Sequence, residues 1–194
     1  RRFEGPGVGG AQQRQLPERA AAGASRVASA SYPEGPLFWR GAFYYTQMGL
    51  DEVTRLDGAK PQKFWSSKGC GPTSLAPYRD GLVVLCHLSG ELVVLDAAGW
   101  VKTRYTHAQD GTPLQNPNDS YADDYGGVFF SDPGAFSKEA PATGLVYRLS
   151  PEGEIRRLAG PLHYPNGVYF DAKARTLFVS EHLKRRVLAF PVTR

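Results

Sequence analysis

Four times between residues 33 and 167 the chain places a proline ahead of a short strand, a turn and a second strand: Pro33-Glu34-Gly35, Pro72-Thr73-Ser74, Pro117-Asn118-Asp119 and Pro165-Asn166-Gly167. The starts lie 39, 45 and 48 residues apart. Apolar and β-branched runs follow each start, separated by Asp-Gly, Gly-Gly, Ser-Gly and Pro-Glu-Gly turns. They predict second strands over 43–46, 82–86, 128–131 and 177–180, and third strands over 52–57, 91–96, 144–150 and 186–191. A period of roughly 40–50 residues with about four strands per unit is the pattern of a β-propeller. Each blade has a face it cannot bury alone, and stacking blades around an axis buries it. The expected fold class is therefore all-β, a β-propeller. No stretch carries a helical period over three turns, and 22 glycines and 15 prolines suit a chain of many turns.

The bulk properties narrow the function. At 194 residues and 41% apolar composition the chain is long enough for one domain with a core, or for a piece of something larger. No run of 18 apolar residues is present to span a membrane as a helix. The net charge of +4 is concentrated only in Lys184-Arg185-Arg186, which reads as a solvated face and gives little support for nucleic-acid binding. Residues 1–30 are rich in Gly, Ala, Arg and Gln, without strand alternation. They are expected to be an arm, flexible or part of a blade, ahead of a partial propeller over 31–194. No apolar core follows the first arginines, so the segment is not an intact signal peptide, and localisation stays open between cytoplasm and periplasm or exterior. Cys70 and Cys86 are too few for a disulfide framework and lack metal-site spacing. Two small, half-buried thiols are expected, with a single bridge open if their strands are neighbours.

In a propeller, equivalent positions of successive blades ring the central channel. Glu34, Thr73, Asn118 and Asn166 each follow the proline of their unit and are expected to converge there. One carboxylate and two amide carbonyls suit a hard cation, and calcium takes six to eight such oxygens. Soft ligands are missing from these positions, which disfavours zinc or copper. The plainer alternative is that Pro-Asn-Gly and Pro-Asn-Asp only form turns; three such units in register favour a ligand set. Asp132 and Glu181 follow a serine at matching strand ends, and line the channel or merely end strands. Asp123 and Asp171 are expected to shape turns, while Asp119 is within reach of the site. His163 stands three residues before Asn166 and is a candidate proton shuttle at the channel mouth, if not a packing histidine. Neither Ser74 nor Ser131 has the surroundings of a nucleophile elbow. The glycines of "GPGVGG" follow no predicted strand and are set aside. Trp39, Trp65 and Trp100 are expected mostly in blade packing.

The stretches "PEGPLFW", "NPNDSYADDYGGVFFSDP" and "PNGVYFDAKARTLFVSE" resemble the SMP-30/gluconolactonase/luciferin-regenerating-enzyme family, six-bladed propellers, over roughly residues 31–194. The resemblance implies a divalent metal in the channel, usually Ca2+, with Zn2+, Mg2+ or Mn2+ as alternatives. It implies hydrolysis of sugar lactones or related esters, with phosphotriester cleavage as a variant. Carried over, the metal ligands fall on Glu34, Asn118 and Asn166, and Asn118 also contacts substrate. The family's further ligand, an Asp that doubles as candidate base or nucleophile, lies about fifty residues beyond the Pro-Asn-Gly motif. The sequence ends at Arg194, 28 residues after Asn166, so that acid has no counterpart and the catalytic residue is unassigned. About four blades of six are expected, as in a fragment of a longer protein. Its open ends leave self-association through blade edges open. The competing expectation, from another class, is a non-catalytic propeller acting as a binding or scaffold module, or an inactive fragment.

Overall fold

The computed structural model describes residues 26–58 and 60–193; the arm expected over residues 1–30 lies outside the described residues as far as residue 25. Among the described residues fifteen strands form four antiparallel sheets in simple sequential order. The first blade holds β1 (Pro33–Trp39), β2 (Ala42–Gln47), β3 (Glu52–Asp57) and β4 (Lys60–Ser66). The second holds β5 (Pro72–Tyr78), β6 (Gly81–Cys86), β7 (Glu91–Leu95) and β8 (Val101–Tyr105). The third holds β9 (Ser120–Ala122), β10 (Val128–Asp132), β11 (Gly144–Leu149) and β12 (Ile155–Leu162). The fourth has three described strands, β13 (Pro165–Asp171), β14 (Thr176–Glu181) and β15 (Arg186–Pro191).

The core lies between blades, and strand alternation decides which residue faces which neighbour. In β6, Leu82, Val84 and Cys86 pack toward the first blade against Tyr44, Val53 and Trp65. The alternate residues Val83 and Leu85 pack toward the third blade against Val128, Phe130 and Tyr147. A strand sandwiched on both faces is apolar throughout, which is why "LVVLC" does not alternate. In β14 the alternation returns. Leu177 and Val179 are buried against Phe129 and Val146 of the third blade, while Phe178 points the other way and is exposed. The outer strands β4 and β12 are mostly exposed, as is β8, so their sequences carry little apolar period.

One device recurs in all four blades. The last residue of the second strand reaches back to the residue two positions before the blade's leading proline. Gln47 accepts from the Ser31 N–H (2.9 Å). Asp132 accepts from the Gln115 and Asn116 N–H groups (2.9 and 2.7 Å). Glu181 accepts from the His163 N–H (2.8 Å). In the second blade the same two positions are Cys70 and Cys86, and they form a disulfide. The expectation of two free thiols is thus corrected: Pro72 pairs directly across from Cys86, which brings residue 70 within bonding reach.

The backbone completes the clasp. Met48, His87 and His182 donate to the carbonyl just before the proline, at 3.2, 3.1 and 3.0 Å. The residue supplying that carbonyl is left-handed in these three blades: Tyr32, Gly71 and Tyr164, at φ 50°, 54° and 58°. The third blade has Pro133 at the donor position, which has no N–H. There the Asn116 side chain takes over, accepting from the Gly134 N–H (2.7 Å) and donating to the Gly134 carbonyl (2.9 Å).

Candidate functional site

The inner strands β1, β5, β9 and β13 follow one another side by side. Contacts between them fix the order of the residues after each proline. Gly35 is left-handed (φ 51°), and a Cβ there would lie 2.9 Å from Ser74 Cα and 3.0 Å from the Thr73 carbonyl oxygen, so only glycine allows β1 this close to β5. The Thr73 hydroxyl donates to the Asn118 carbonyl at 2.8 Å, with the Pro117 carbonyl at 3.2 Å. Ser74 and Ser120 share a hydroxyl hydrogen bond of 2.8 Å. Asp119 accepts from the Val168 N–H (2.9 Å), joining the third blade to the fourth. Positions 34, 73, 118 and 166 therefore run in sequence along one end of the arc. β1, β5 and β13 each shift register at this point, and such bulges re-aim side chains out of the ladder.

The candidate ligands share a chemical trait. Among the described residues, the Glu34 carboxylate, Asn118 Oδ1 and Asn166 Oδ1 accept no hydrogen bond. Glu34 is exposed and the two asparagines are half-buried. Thr46, which pairs with Glu34, keeps a buried hydroxyl with no partner among the described residues. Uncommitted hard oxygens fit a hard cation whose remaining positions are filled by water or substrate. Among the described residues no group of three His, Cys, Asp or Glu is placed to hold a metal, so any set here is carried by amides with one carboxylate.

A histidine that no spacing in the sequence singles out, His87, lies beside the candidate site. Its Nδ1 lies 3.5 Å from Asn118 Nδ2. It sits beside Asn118 because it follows Cys86 directly, and the clasp turns it toward the neighbouring inner strand. The His163 backbone belongs to the clasp: its N–H goes to Glu181 and its carbonyl accepts from the Leu183 N–H (3.3 Å).

The acids divide by what holds them. Burial pushes the Asp119 and Asp132 carboxyls up, more than their backbone N–H donors pull them down. For Glu181 burial acts upward, but the His163 N–H and the Arg186 guanidinium (2.6 Å) outweigh it and hold the carboxyl below its ordinary value. Tyr147 is pushed up to about 12, first by burial and then by the charge of Asp132, so its phenol stays neutral. Asp123 shapes its turn as expected, accepting from the Tyr125 and Gly127 N–H groups (both 2.8 Å), and also pairs with Arg148 (2.7 Å). Asp171 caps its turn through the Ala174 N–H (2.9 Å).

Sequential four-stranded sheets with polar residues ranked along the inner strands define a β-propeller arc with a candidate axial site. The chain belongs to the SMP-30/gluconolactonase/LRE-like family, whose profile matches residues 32–194. Among solved structures it is similar to a gluconolactonase from Xanthomonas campestris (TM-score 0.74, 24% identity, covering 86% of this chain and 60% of that one). It is also similar to regucalcin, a calcium-binding protein from Agrobacterium tumefaciens (TM-score 0.68, 16% identity, covering 87% of this chain and 56% of that one). A virginiamycin B lyase from Staphylococcus aureus shares the fold as well (TM-score 0.66, 17% identity, 86% of this chain and 54% of that one). No curated protein sequence matches significantly. The chain spans about 60% of the length of the gluconolactonase, as four blades of a six-bladed type.

Proposed function

We propose that this chain contributes the metal-binding blades of a hydrolase that opens a sugar lactone or related ester at a divalent cation in the propeller channel. Calcium is the first candidate, with Mg2+, Mn2+ or Zn2+ as alternatives. The observation that carries the reading is the rank of uncommitted oxygens on Glu34, Asn118 and Asn166 at one end of adjacent inner strands, in a chain of a gluconolactonase-like family. A bound cation would supply Lewis acidity toward the ester carbonyl and lower the pKa of a bound water.

The chain's own residues have distinct parts in this reading. Glu34 brings the one full negative charge. Asn166 and Asn118 bring neutral carbonyl oxygens, and the Asn118 amide orients substrate as well. Thr73 holds the Asn118 backbone in place through its hydroxyl. Asp132, Glu181 and the Cys70–Cys86 bridge fix the segments that lead into positions 118, 166 and 73. The general base is not assigned.

Calorimetric titration with calcium tests the ligand set. Glu34→Gln removes a unit of charge and is expected to weaken binding at least tenfold, while Thr73→Ala changes it less; equal affinities would overturn the assignment. A panel of aldonolactones and aryl esters, with and without EDTA, tests the reaction. A second reading is favoured by the single carboxylate of the set: a non-catalytic propeller that holds its cation for stability. Calcium would then raise the melting temperature without turnover of any ester in the panel.

A further inference from the structure

The basic run Lys184-Arg185-Arg186 and the longest of the loops that join second and third strands meet at the clasp of the fourth blade. Three blades join their second and third strands through four residues: 48–51, 87–90 and 182–185. The third blade uses residues 133–143. This longer loop lays Phe136 against Tyr164 and His182, with ring centroids 4.8 and 5.8 Å apart. Both partners belong to the clasp of the fourth blade: the His182 N–H donates to the Tyr164 carbonyl, and Tyr164 stands two residues before Asn166. The aromatic group is therefore built onto the frame that positions a candidate ligand, yet Phe136 remains 64% exposed.

A recess of about 510 Å3 opens here, lined by Phe136, Lys138, Glu139, His182 and Arg185 among others. Its charge is unbalanced. Arg186 is neutralised by Glu181 at 2.6 Å. Among the described residues neither Lys138, Lys184 nor Arg185 has a carboxylate within ion-pair distance. Glu139, the one acid of the recess, accepts from the Ser137 hydroxyl (3.2 Å). An exposed ring face beside free cations suits a ligand with a flat C–H surface and an anionic substituent.

We propose that this recess selects lactones carrying a phosphate or carboxylate substituent, with the sugar ring against Phe136 and the anion between Lys138 and Arg185. The proposal rests on the lactone-hydrolase reading above. Its test uses binding, which needs no turnover: calorimetric titration of the full chain with gluconate, glucarate and 6-phosphogluconate, and with inorganic phosphate as control. The expected result is at least tenfold tighter binding of glucarate, of 6-phosphogluconate or of both than of gluconate, which lacks the second anionic group. Preference for 6-phosphogluconate identifies phosphate as the substituent, and preference for glucarate identifies carboxylate. The double variant Lys138→Gln/Arg185→Asn, at two exposed positions, should abolish the preference, and Phe136→Ala should weaken the preferred sugar acid but not inorganic phosphate. Equal binding of all three sugar acids, a preference that survives the double variant, or inorganic phosphate matching the preferred sugar acid would overturn the proposal. Charge-dependent binding without turnover of any lactone would sink the hydrolase reading alone. Turnover of plain and substituted lactones with equal kcat/KM, unchanged in the double variant, would sink the recess alone.

Discussion

Asp123 gathers three donors at one buried carboxylate: two backbone N–H groups that close the β9–β10 turn and the Arg148 guanidinium from β11. Its side chain is fully buried while Arg148 is a quarter exposed, so deleting the acid strands both the turn amides and a partly desolvated cation. Asp123→Ala is expected to cost about 3 kcal/mol, read by urea denaturation. Asp132 makes the opposite kind of prediction. Its carboxyl titrates higher in the folded chain than in the unfolded one, because burial outweighs its two N–H donors. The folded state then binds the proton more tightly, so this group's contribution to stability is full below the ordinary carboxylate pKa of about 3.9 and falls as pH rises through the raised value. Glu181, held low, contributes in the other direction, and its share is lost as pH falls through its folded-state pKa. Melting temperatures of Asp132→Asn against the parent should show a flatter slope for the variant between pH 7 and the ordinary carboxylate range.

At the scale of elements, the clasp explains why four sequence-distant segments are held alike by a glutamine, two carboxylates and a disulfide. The bridge closes a loop of about 16 residues, which is worth about 3 kcal/mol by loop-closure entropy. Reduction, or Cys70→Ser with Cys86→Ser, should lower the melting temperature, and a thiol assay of the unfolded, unreduced chain should find none free. Much of this level was legible in the sequence. The third strands over 52–57 and 186–191 coincide with β3 and β15, and the second strands differ by one residue at either end at most. The outer strands β4, β8 and β12 were not legible, because exposed edge strands need no apolar period. The ranked positions of Glu34, Thr73, Asn118 and Asn166 followed from the repeat. The clasp did not: Asp132 and Glu181 matched as strand ends, but Gln47 and Cys86 differ from them in chemistry, and the segment that all four hold shows only once the strands are paired. His87 was invisible for the same reason, since its closeness to Asn118 is created across two blades.

For the whole molecule, the contrast between inner and end blades matters most. The second blade is covered on both sides, whereas the first exposes Phe38 and Phe43 and the fourth exposes Tyr169, Phe178 and Val187. Apolar faces of this kind favour association. Taken alone, the chain is expected to self-associate in a concentration-dependent way, and Val187→Lys should shift sedimentation velocity profiles toward the monomer. Pro133 has a consequence of a different sort. By removing the backbone tie that the other three blades use, and leaving the job to the Asn116 side chain, it uncouples the length of the following loop from the geometry of the axis. That corner can lengthen, shorten or accept a grafted peptide while the inner strands stay put, which makes residues 133–143 the natural place for new specificities to be tried, by evolution or by an engineer.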